Sequence, residues 1–180
     1  MTERISHQKD FITKKDLKNY AESVLEKQQV VYDPYFSPAE MMEALAESLE
    51  EYINTGKLPA KIARMSPLGP MELPETSFEI SVITNDQAKV LAKIAYMYIR
   101  DHGYLPEYII LVDEFVGTGS LLALFCDMYL DILDGKLNDS YKITSFDPWP
   151  MENEQAIISE VEACKDWPVH KRDLDMTQIV

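Results

Sequence analysis

Two cysteines, Cys126 and Cys164, are all this 180-residue chain contains, and neither belongs to a CxxC pair. A disulfide scaffold and a cysteine-rich zinc site are thereby excluded, and a cytoplasmic location is expected. No uncharged apolar run approaches the roughly 18 residues of a membrane span. The opening MTERISHQKDF is polar and of mixed charge, unlike a secretory leader. No internal repeat or low-complexity segment is read along the chain. The three histidines, His7, His102 and His170, are scattered without the i,i+4 partners of a zinc helix, so no metal site is expected.

Basic residues are scarce where acids are dense. Residues 101–164 carry 13 Asp/Glu and only Lys136 and Lys142, whereas residues 1–100 carry 15 acids and 12 bases. The whole chain has a net charge of −14. Such a surface repels phosphate backbones, so direct nucleic-acid binding is not expected. It suits a cationic ligand, a basic protein partner, or simple solubility.

Periodicity places the elements. TKKDLKNYAESVLEKQ (13–28) reads as a helix with Thr13 and Asp16 at capping spacing. SPAEMMEALAESLEEYINTG (37–56) reads as a second, with Ser37 as N-cap, Pro38 in the first turn, Glu40 closing a capping box and Gly56 stopping it. Prolines 59, 67, 70 and 74 mark 57–76 as a loop or arm. FEISVIT (78–84) alternates like a strand with Phe78, Ile80 and Val82 on one face. A helix capped by Asn85 follows over 85–103, then YIILV (108–112) as a strand covered on both faces. SLLALFCDMYLDILDG (120–135) is apolar nearly all round, as in a helix packed deep against a sheet. A strand over 141–146, a helix over 152–167 and a short strand over 169–173 complete the order. This predicts an α/β fold with a mostly parallel, Rossmann-like sheet of four or five strands flanked by helices (77–180), behind a helical N-terminal extension with a Pro-rich loop (1–76).

The stretch with the character of chemistry is ILVDEFVGTGSLLALF, residues 110–125. A buried strand, a Gly-x-Gly turn and a helix start together make either a ligand cradle or a tight βα turn. Asp113, Glu114, Phe115, Val116, Gly117, Thr118, Gly119 and Ser120 resemble the first motif of class I S-adenosylmethionine-dependent methyltransferases. The likeness is greatest to the branch that methylates amino groups of nucleic acids, with Asp-Pro-Phe-x-Gly-Thr/Ser-Gly-Ser/Thr; Glu114 replaces the proline. The resemblance covers about residues 85–175. It implies that Asp113, Phe115, Gly117, Thr118, Gly119 and Ser120 surround the methionine moiety of S-adenosylmethionine, that Asp147 holds ribose, and that Asp173 sits near adenine. The spacing from Asp113 to Asp147, 34 residues, is longer than the family pattern. The family's Asn/Asp-Pro-Pro-aromatic motif is missing before Val180, since Asp147-Pro148-Trp149-Pro150 stands at the second strand and not the fourth. Cofactor binding without methyl transfer by this chain alone is therefore the expectation, and whether it is an enzyme stays open.

Ile110 to Gly119 also resembles the acid-pair loop of type I phosphoribosyltransferases, although no pyrophosphate loop precedes it and the local charge opposes an anionic substrate. Asp127, Asp131 and Asp134 have helical spacing, read as a solvated stripe before a metal face. Cys126 and Cys164 read as small core residues. Glu40, Glu43, Glu47, Glu50 and Glu51 give helix 37–55 an acidic face. This raises the rival expectation: a non-catalytic acidic interaction protein, with a basic nucleic-acid-binding protein as partner and phosphate mimicry as the means of inhibition. Exposed apolar residues on the N-terminal helices are compatible with a homodimer.

Overall fold

Each of the first three helices begins at a hydroxyl residue whose side chain and backbone exchange hydrogen bonds with the third helical residue. In the computed structural model, residues 9–72 and 81–144, with Phe146 and Trp149, are described, and all belong to one unit, Met1–Trp149. Helix α1 (Lys14–Lys27) starts at Thr13, α2 (Pro38–Thr55) at Ser37, and α3 (Asn85–His102) at Thr84, paired with Asp16, Glu40 and Gln87. Each such cap contributes about 1 kcal/mol. The cap of α3 is Thr84, one residue before the expected Asn85. Glycines in left-handed backbone, Gly56 at φ 76° and Gly103 at φ 77°, end α2 and α3.

Among the described residues the expected parallel sheet does not form. Three separate two-stranded antiparallel ribbons take its place: β1 (Phe11–Thr13) with β2 (Lys61–Ala63), β3 (Val82–Thr84) with β6 (Ser140–Lys142), and β4 (Tyr108–Leu111) with β5 (Glu114–Gly117). The physical reason lies at residues 112–113. YIILV does not cross a sheet buried on both faces; it reverses at once through Val112 (φ 49°) and Asp113 (φ 65°), a two-residue turn of the type I′ kind. Ile109 faces inward, while Tyr108, Ile110 and Val112 stay exposed at 37%, 58% and 63%. In β3 the inward residue is Ile83 and Val82 is exposed, the reverse of the expected face; Phe78 and Ile80 lie outside the described residues. The helix expected over 152–167 and the strand over 169–173 also lie outside them.

Helix α4 (Thr118–Leu133) is buried on nearly every side, as its sequence demands, but by helices and not by a sheet. It packs on α1, α2 and α3. Burying a leucine- or phenylalanine-sized side chain is worth about 1.5–3 kcal/mol. The fully buried Leu121, Leu122, Phe125, Met128 and Tyr129 of α4, with Met41, Leu45 and Leu49 of α2, thus form the energetic centre of the fold.

The fold is duplicated, contrary to the reading of a chain without repeats. A strand ending in Ile-Thr, two helices and a return strand occur twice: β1-α1-α2-β2 and β3-α3-α4-β6. The two ribbons close through matching bonds. Lys14 N donates to the Ala60 carbonyl (3.2 Å) as Asn85 N does to that of Asp139 (2.9 Å), and Arg64 N donates to Asp10 as Ile143 N does to Ser81 (both 2.9 Å). The buried Leu17, Tyr20, Ala21 and Val24 of α1 correspond to Ala88, Leu91, Ala92 and Ala95 of α3. Residues 38–46, 48 and 49 of α2 and 118–126, 128 and 129 of α4 are buried, with Glu47 and Asp127 as the matching half-buried gaps. Packing follows the same symmetry: α1 lies on α4, α3 on α2, and α2 on α4. Exchanging the halves maps these contacts onto themselves, the pattern of an isologous pair within one chain. The former "extension" is thus half of the core. The hairpin β4–β5 is the addition of the second half, inserted between α3 and α4.

The hairpin turn carries an unusual residue, because a β-branched side chain at positive φ is strained. Replacing Val112-Asp113 by Asn-Gly, the pair favoured in this turn, is expected to stabilise the protein by about 1 kcal/mol. Thermal unfolding checks this: a rise of roughly 2–4 °C is expected, and an unchanged or lower midpoint would refute the strain.

Candidate functional site

The glycine turn joins β5 to the buried start of α4. Asp113 is exposed at the hairpin tip, a four-residue strand away from Gly117. Phe115 lies in β5 with its ring edge on Tyr108, centroids 4.6 Å apart. Gly117 ends β5 and caps α4 without a side-chain bond. Thr118 is fully buried, its hydroxyl donating to the carbonyls of Pro106 (2.7 Å) and Glu107 (3.1 Å). A Cβ built on Gly119 would fall 2.2 Å from the Phe146 carbonyl oxygen. Ser120 is fully buried. The structure therefore brings Gly117, Thr118, Gly119 and Ser120 together at the buried start of α4 and leaves Asp113 apart from them. Asp147 and Asp173 lie outside the described residues.

This geometry explains Gly119 without a ligand. The protein's own backbone at Phe146 occupies the space that a side chain would need. Among the described residues the strand before the turn, β5, pairs only with β4, antiparallel, and not in the parallel sheet that would present a cradle. Gly119→Ala is expected to destabilise by about 1–3 kcal/mol, the range for overpacking a core, with no ligand present. Chemical denaturation of the unliganded protein measures it; a variant as stable as the parent would show that the close approach to Phe146 is not a constraint.

The remaining candidates divide sharply by burial. Cys126 is fully buried and its thiol is pushed well up by burial, so it is a core residue and no nucleophile. Cys164, His7 and His170 lie outside the described residues. His102 is exposed on the last turn of α3, stacked on Tyr98 at 4.1 Å. Asp127 and Asp131 are half-buried, and burial, then the charge of Asp131, raises Asp127 to about 6. Asp134 is exposed at the end of α4. Among the described residues no group of His, Cys, Asp and Glu is arranged to hold a metal.

The acidic face expected on α2 is split. Glu51 is exposed and Glu47 and Glu50 are half-buried, but Glu40 and Glu43 are 4% and 5% exposed. A phosphate-like track along this helix therefore loses its first two carboxylates. Glu40 is fully engaged: it accepts from Arg64 Nε and Nη2, from the Ser66 hydroxyl (3.0 Å) and from the Ser37 backbone (2.8 Å). This pins the segment after β2 onto α2. Glu43 is different. Burial, then a hydrogen bond to Glu47 and the charges of Glu47 and Glu40, raise it to about 9. Its Oε2 is buried with no hydrogen-bond partner.

Glu43 lines a cavity of about 210 Å³ between α2 and α3. Its far wall is the segment after β2, held against the end of α3 by Leu68 N to the Gly103 carbonyl and Leu105 N to the Leu68 carbonyl, both 3.0 Å. Glu47, Ser66, Tyr96, Ile99 and Arg100 share the lining. The sequence held a signal for Glu43: within 38–46 only Glu40 and Glu43 interrupt an otherwise apolar stretch. Reading α2 as an amphipathic helix with one wet face hid it.

No family model, curated protein or solved structure matches this chain. No helix among the described residues is long and apolar enough to cross a membrane.

The raised carboxyls predict the pH dependence of stability. Above its ordinary value near 4.5 an unfolded Glu43 loses its proton, while the folded one keeps it to about 9. The folded state then binds the extra proton, so stability is fully present below the unfolded value and is lost as pH rises, by at most about 1.4 kcal/mol per unit. Asp127 adds the same sign between its ordinary value of 3.8 and about 6. Urea midpoints should therefore fall from about pH 6.5 to about pH 8, above the Asp127 window. Glu43→Ala should flatten that limb; parallel limbs would disprove the assignment.

Proposed function

We propose that this protein acts by binding and not by chemistry of its own, as an acidic interaction protein whose partner docks on the β4–β5 hairpin. The observation that carries this reading is the exposure of Tyr108 and Ile110 on one face of β4 and of Val112 and Asp113 in the turn that follows. Alternating residues of a strand share a face, so Tyr108 and Ile110 lie on one face of β4, with Val112 following in the turn. The edge of a two-stranded ribbon also offers main-chain groups to an added strand. The dense negative charge of this half favours a basic partner and speeds its approach at low salt. The resemblance at residues 113–120 implied a parallel sheet that the antiparallel ribbons replace, and the approach of Gly119 to Phe146 accounts for that glycine without a cofactor.

A photoreactive amino acid placed at Ile110 in the source cell tests the proposal, with one at the exposed Lys93 of α3 as control. A discrete adduct to a basic protein is expected at Ile110 alone, lost with Asp113→Lys. Equal labelling from both positions, or none from Ile110, would sink the docking assignment. Saturable binding of S-adenosylmethionine in a parallel titration would restore the cofactor reading.

A further inference from the structure

The duplication supplies an internal control for Glu43. Its counterpart in α4 is Ala123, equally buried at the same place on the matching helix. An alanine therefore satisfies the fold at this position. A glutamate there buries a carboxyl and leaves one oxygen without a hydrogen bond, a cost of about 1–3 kcal/mol that packing alone does not require. Glu40, three residues earlier, shows the contrast, since Arg64, Ser66 and Ser37 engage its carboxylate completely.

We infer that the α2–α3 cavity is a binding site for a small zwitterion, an amino acid whose ammonium meets Glu43 and Glu47 and whose carboxylate meets Arg100. The inference is independent of the hairpin reading. At about 210 Å³ the cavity has room for roughly seven waters, which suits a ligand with a short aliphatic backbone. Glu43 and Glu47 both line one end of the cavity, so two carboxyl groups, one of them with an unpartnered buried oxygen, meet there for an ammonium group. Ile99 is buried and Tyr96 half-buried along the cavity, giving the carbon chain an apolar wall. Arg100 is on the same lining, its guanidinium 5.6 Å from the Tyr96 ring centre and 3.6 Å from Asp101, an exposed pair that a ligand carboxylate can displace. The other charges near Glu43 are accounted for: Glu40 is held by Arg64, and Glu47 and Arg100 belong to the site.

The test is calorimetric titration of the full chain at neutral pH with alanine, β-alanine, γ-aminobutyrate and 5-aminovalerate, against butylamine and butyrate. At least one amino acid should bind saturably, and both single-charge analogues should bind about tenfold or more weakly, the loss of one charge-assisted contact. Glu43→Ala should abolish binding while unfolding no earlier than the parent, and Arg100→Gln should bring the zwitterion down to the level of butylamine. Arg100 is exposed, so that second variant remains informative if the first does not fold. Absence of saturable binding by all four amino acids overturns the inference. So does butylamine binding as tightly as the best of them, or full binding by either variant.

Discussion

Two helices buried against one another, α2 and α4, are the constraint on which the rest of this fold depends. Each is the second helix of its half, each is enclosed along its first three turns, and each receives the first helix of the other half on its flank. Once that pairing is made, the short ribbons have little freedom. They are closures that return the chain from the end of the second helix to the start of the first, with Ile12 beside Ile62 and Ile83 beside Tyr141 as their buried centres. Three-residue strands with one inward side chain cannot carry a core. The helices do so, and the strands close the loops.

That arrangement also explains where polar groups become expensive. A position on α2 or α4 that faces the other helices has no solvent to turn to, so each acid there must find partners or hold a proton. Glu40 takes the first course and Glu43 the second. The same rule acts on the matching helix more mildly, where Asp127 and Asp131 lie half-buried and one raises the other. Burial, more than net charge, separates the carboxylates with a specific role from those that only solvate the surface.

The local signals were legible because they are local. Thr13, Ser37 and the glycines at 56 and 103 mark helix ends through bonds made within four residues of themselves, and no distant contact revises them. The strands were placed near their true positions but given the wrong partners. YIILV looks like a doubly covered strand by composition, and only the turn at Val112 and Asp113 shows that half of it is in water. The duplication escaped because the halves share little more than Ile-Thr at 12–13 and 83–84 and Gly-Lys-Leu at 56–58 and 135–137. The hairpin inserted in the second half puts these matches out of register, and burial pattern is preserved where residue identity is not.

The sequence by itself determined the four helices, the N-caps of α1 and α2, the depth of α4 and the acidity of the chain, since each follows from spacing and composition over a turn or two. Tertiary structure alone decided the antiparallel pairing, the closure of the glycine turn on Phe146 and the burial of Glu43. Those depend on which surfaces meet, and segments tens of residues apart, Ser66 with Glu40 or Phe146 with Gly119, meet only once the helices have packed.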